Sequence, residues 1–90
     1  MLNKAQMEWC LRKENELREK YPIQSLVAGL DGVDDRWAGL VEDVNAIVKL
    51  VEGKQAYDDV KEWFIFFLRE LDKKAKLIAP VNNNSEKKGE

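Results

Sequence analysis

The chain has no histidine and no threonine, one cysteine, two serines (Ser25 and Ser85), two prolines and five glycines in 90 residues. Each shortage removes a class of function. Without histidine there is no imidazole base, no imidazole ligand and no side chain that ordinarily titrates near neutral pH. Hydrolysis by a hydroxyl nucleophile needs a base beside Ser or Thr, and neither serine has a histidine to serve it, so Ser–His triads are excluded. Cys10 has no second thiol for an intrachain disulfide or a thiolate metal site. That excludes a secreted disulfide scaffold and points to a reducing cytoplasm. Residues 1–19 carry Lys4, Glu8, Arg12, Lys13 and Glu14, which leaves no apolar stretch for a signal peptide. The longest apolar run, Trp63 to Leu68, is far short of the roughly 20 residues a membrane-spanning helix needs. No membrane association is expected.

What is present is helix-forming. The chain is 44% hydrophobic and 36% charged, a balance that suits a small all-α domain with salt-bridged faces rather than a disordered chain. The net charge is −2, and residues 21–60 carry three basic against eight acidic side chains. Nucleic-acid binding, which rests on Lys and Arg neutralising phosphates, is therefore disfavoured.

Periodicity divides the chain into a single helical domain, residues 1–79, and a polar tail, residues 80–90, expected to be disordered. The spacing predicts a first helix from Asn3 to Tyr21, ending against Pro22, with Met7, Cys10, Leu11, Leu17 and Tyr21 on one side. A short helix follows from Pro22, with Ile23, Leu26, Val27 and Leu30 at helical spacing, and ends at Asp31-Gly32. Asp34 or Asp35 is expected to cap the next helix, whose stripe is Trp37, Leu40, Val41, Val44, Ile47, Val48 and Val51, with Gly53 as its stop. The last helix runs from Gln55 or Ala56 to Ile78. Tyr57, Val60, Phe64, Phe67, Leu71 and Ile78 form its seam, with the missing position at Lys74 or Ala75. The expected architecture is a compact bundle of three long helices and one short one with a disordered C-terminal tail.

The apolar content exceeds what one face of each helix can bury. Ile65 and Phe66 point about 120° to 140° away from the last helix's seam, Leu50 lies about 120° off its own stripe, and Trp9 more than about 100° off the first. These four residues are the candidate interaction surface, since exposed apolar patches on soluble proteins mark contacts. Asp31, Asp34, Asp35, Glu42, Asp43, Asp58 and Asp59 are candidates for acidic docking to a basic surface, although four of them stand where helix starts favour acid anyway.

Carboxylates remain the one source of catalysis. Glu16 with Glu19 forms an ExxE pair and Glu42 with Asn45 an ExxN pair. They loosely resemble the ExxE and ExxD pairs with which all-helical nucleotide pyrophosphatases hold magnesium. The second pair departs at Asn45, and both face away from their helices' apolar stripes, whereas a magnesium site needs converging carboxylates. No family is identified, and no catalytic residue, cofactor or metal ligand is assigned. The leading expectation is a non-enzymatic protein-interaction module, a regulator, inhibitor or adaptor, acting as a homodimer and with a protein partner in the cytoplasm. A magnesium-dependent nucleotide hydrolase and a nucleic-acid-binding regulator are the alternatives.

Overall fold

The computed structural model describes residues 2–78, and the expected tail, residues 80–90, lies outside them. Three α-helices and one 3-10 turn follow in order: α1 over Lys4–Lys20, the turn over Ile23–Leu26, α2 over Val33–Val48 and α3 over Lys54–Ile78. No strand occurs among the described residues.

Both ends of α1 have local causes. Asn3 starts α1 with a reciprocal cap: its side chain accepts from the Gln6 backbone N–H at 2.9 Å, and Gln6 accepts from the Asn3 N–H at 3.0 Å. The helix stops at Tyr21 (φ −124°, ψ 78°), because Pro22 bars its predecessor from helical geometry.

The short helix expected after Pro22 is instead a single 3-10 turn, and α2 explains why. A continuing helix would offer the Ser25 and Leu26 carbonyls to backbone N–H groups four residues on. Here the Arg36 Nε donates to the Ser25 carbonyl at 2.6 Å and the Trp37 Nε1 to the Leu26 carbonyl at 3.1 Å. The Ser25 hydroxyl folds back onto the Pro22 carbonyl at 2.7 Å, competing locally with helix continuation. Val27 then turns extended and Gly29 takes φ +93°.

Two other boundaries differ from expectation. Gly32, in the left-handed conformation at φ +74°, occupies the position before α2 without any side-chain cap, and Asp34 and Asp35 fall inside the first turn. There they complement the helix dipole rather than cap it. At the other end α2 stops at Val48, and the N–H groups of Leu50 and Val51 reach back three residues, to the Ile47 and Val48 carbonyls, at 3.1 Å each. Val51 is thus outside the helix. Gly53, at φ +86°, directly precedes α3 instead of ending α2.

The three helices share one core: Cys10 and Leu17 from α1, Leu26 from the turn, Leu40, Val44 and Val48 from α2, and Val60, Phe64, Phe67, Leu71 and Ala75 from α3. The α3 seam is the expected one from Tyr57 to Leu71, and Ala75 fills the position left open, but Ile78, expected to continue it, is 50% exposed because the core ends at Ala75. Phe64 and Phe67 meet edge to face with ring centres 6.1 Å apart, a favoured aromatic geometry. The α1 stripe is rotated from expectation. Met7 and Leu11 are exposed, while Trp9 packs against the core, because α1 lies against both α2 and α3 and its contact face is broader than one stripe.

Direction follows from specific contacts. Lys20 pairs with Asp43 while Trp9 shares a groove with Leu50, so α1 and α2 are antiparallel. Ala5 and Trp9 lie near Val60 and the Arg18 guanidinium lies 5.1 Å over the Phe67 ring, so α1 and α3 run the same way.

Candidate interaction surfaces

The four off-stripe apolar residues fall in three places. Trp9 and Leu50 come together. With Ala5, Lys13, Val51 and Val60 they line a groove of about 370 Å³ where the start of α1 meets the turn between α2 and α3. Trp9 is half-buried, with the Lys13 ammonium 5.9 Å from its ring centre, whereas Leu50 is 69% exposed. Ile65 and Phe66 are on α3, 38% and 66% exposed.

These last two do not share a flank. Asp72, Ala75 and Lys76 line a groove with Val33 and Trp37, which places α2 on that side of α3. Helical geometry turns Ile65 toward the same flank and Phe66 the other way, toward α1. Phe66 also lies about 9 Å along the axis from Val60, the α3 residue of the Trp9 groove.

The seven acidic candidates do not converge. Asp34 and Asp35 are in the first turn of α2, whose start meets the Asp72 end of α3. Asp58 and Asp59 are near the start of α3, about 20 Å away along that helix. Asp31 and Glu42 are exposed, the former offering its carbonyl to the Arg36 Nη2 at 2.8 Å. Asp59 accepts from the Gln55 side chain at 3.2 Å.

Asp43 is engaged within the fold. Its Oδ2 accepts from the Lys20 Nζ at 2.7 Å and from the Tyr21 hydroxyl at 2.8 Å. Gly39 leaves room for that tyrosine, since a Cβ there would stand 3.1 Å from the Tyr21 oxygen. The two donors, Lys20 first, hold the Asp43 carboxyl below its ordinary 3.8. Lys20 is raised above 10.5, chiefly by its hydrogen bond to Asp43. Tyr21 is raised above 10.0, first by burial and then by its bond to the same carboxylate.

The signs define a pH window. A lowered carboxyl adds stability that is present above its unfolded value and lost as pH falls through the folded one; the two raised groups add stability that is lost as pH rises past about 10. Denaturant midpoints measured from about pH 5 to about pH 2 should fall less steeply for Asp43→Asn than for the parent. Equal slopes would place the acid sensitivity elsewhere.

Glu16 lines a groove with Lys20 and Asp43, but neither Glu19 nor Glu42 joins it. Among the described residues no group of three or more Asp, Glu or Cys is placed to hold a metal ion. Cys10 is fully buried, and burial, followed by the charge of Glu14, raises its thiol pKa, which suppresses the reactive thiolate. No described helix is long and apolar enough to cross a membrane.

Periodicity could not have found two features. One is the Trp9–Leu50 groove, which depends on how α1 and α2 align. The other is the Trp63 Nε1–H, buried with no hydrogen-bond partner among the described residues. Compared with protein-family models, curated proteins and solved structures, the chain matches none.

Proposed function

We propose that the chain is a non-enzymatic protein-interaction module, a small regulator, inhibitor or adaptor, that works from its helix surfaces and associates with itself as a homodimer. The observation that carries this reading is Phe66, a large aromatic 66% exposed in the middle of the longest helix. Aromatic side chains at such positions are typical anchors of protein contacts. Leu50, beside the Trp9 groove, offers a second apolar surface for a different protein. A lone buried thiol suits a reducing cytoplasm, where we place the protein.

Sedimentation across a concentration series tests the reading. The parent should shift from monomer to dimer, and Phe66→Glu should remain monomeric while keeping its helical circular dichroism. A parent that stays monomeric at its highest soluble concentration would overturn self-association. Unfolding of Phe66→Glu would show that Phe66 supports the core.

A further inference from the structure

We infer that the outward face of α3 pairs with the same face of a second copy, antiparallel, about a twofold axis passing beside Phe66. The inference rests on the self-association reading and specifies its surface and register.

The stripe behind this pairing is read from α3. Its buried seam is Val60, Phe64, Phe67, Leu71 and Ala75. On the opposite side, Glu62, Phe66, Arg69 and Lys73 follow one another at four, three and four residues, the spacing of a second seam. All four are exposed. Charge along it is segregated: Glu62 precedes Phe66, while Arg69 and Lys73 follow it.

That segregation selects the orientation. A parallel pair would set Glu62 against Glu62 and Arg69 against Arg69. An antiparallel pair centred on Phe66 sets the two phenyl rings against each other and brings Glu62 within one residue of level with Arg69 of the second copy, twice over. Like charges in register repel, and opposite ones across a helix pair set partner and direction. A twofold interface must be complementary to itself, and this stripe is.

The side chains available agree with this use. Arg18, Lys20 and Arg36 are engaged inside the fold. Glu62 and Arg69, the pair the register brings together, make no hydrogen bond or ion pair among the described residues, while Lys73 already lies 3.4 Å from Glu70. The flank also fits: Phe66 is turned toward the side of α3 on which α1 lies, Met7 and Leu11 of α1 are exposed, and Leu77, 86% exposed, lies three turns further along the same side of α3. The twofold carries Leu77 level with Gln55, the end of α3 beside which α1 begins, adding apolar contact at each edge.

The test is charge reversal read by sedimentation equilibrium. Glu62→Arg alone and Arg69→Glu alone should each raise the dimer dissociation constant tenfold or more, and the double reversal in one chain should restore it. An equimolar mixture of the two single variants should form a heterodimer, because each then meets the opposite charge at both contacts. Oxidised Phe66→Cys should form an interchain disulfide, since the residue faces itself across the axis and Cys10 is buried. If the parent dimerises but neither reversal weakens it, this register is wrong while self-association stands. If both reversals weaken it but neither the double variant nor the mixture recovers, the antiparallel pairing is wrong. A parent monomeric throughout would remove both readings.

Discussion

Phe64→Ala is expected to leave the chain largely unfolded at room temperature, seen as loss of the helical circular dichroism minimum and of a cooperative denaturant transition. Phe64 is fully buried, sits midway along α3 and meets Phe67 edge to face. Truncating a buried Phe removes its transfer free energy and leaves a cavity, together about 3 to 5 kcal/mol. A helical domain of this size has roughly 5 kcal/mol in total. The loss therefore approaches the entire stability. The core it belongs to is drawn from all three helices and the turn, so a shift of one element is not expected to close the hole. A midpoint shift equivalent to less than about 1.5 kcal/mol would mean that the core collapses around the gap.

Arg36→Met should cost about 1 to 2 kcal/mol, the larger part through the part-buried Ser25 carbonyl left without its charged donor, since water can replace the guanidinium at the exposed Asp31 carbonyl. The substitution keeps the apolar stem and removes the guanidinium bonds to the Ser25 and Asp31 carbonyls, 2.6 and 2.8 Å long. Among the described residues no carboxylate pairs with this arginine, so salt should change the effect little, unlike a surface ion pair. Hydrogen exchange offers the sharper readout. Amides of residues 22–32 should lose protection before those of α3. If the whole chain loses protection uniformly, the connection is not an independent opening unit.

These two substitutions separate what was legible in the sequence from what was not. The α3 seam could be read directly from Tyr57 to Leu71, because a period sustained over about four turns leaves little room for another assignment, whereas the choice of Ala75 over Lys74 and the exposure of Ile78 depend on where the core ends. The segment after Pro22 had the spacing of a short helix, with Gly29 as a weakening residue. Its carbonyls are taken by Arg36 and Trp37, eleven residues downstream, and no window reading reaches that far. The rotation of α1 has a similar cause. A wheel assumes one neighbour, and α1 has two.

The candidate surfaces divide in the same way. Phe66 and Leu50 were visible as excess apolar residues from the wheels alone. That Trp9 joins Leu50, while Ile65 and Phe66 turn to opposite flanks, depends on helix alignment. Asp43 looked like one more member of an acidic run, until Lys20 and Tyr21, more than twenty residues away, supplied its partners.

The connection between α1 and α2 also bears on the order in which the molecule comes together during synthesis. Residues 22–32 emerge from the ribosome before Arg36 and Trp37, so their carbonyls must stay hydrated until the start of α2 follows. Even then the core is incomplete, because Val60, Phe64, Phe67, Leu71 and Ala75 of α3 belong to it. A nascent prefix lacking α3 leaves the core residues of α1, the turn and α2 without the helix that each of them packs against. The chain therefore gains its stable form in one late step, and the interval before that step is when it most needs protection from other hydrophobic surfaces.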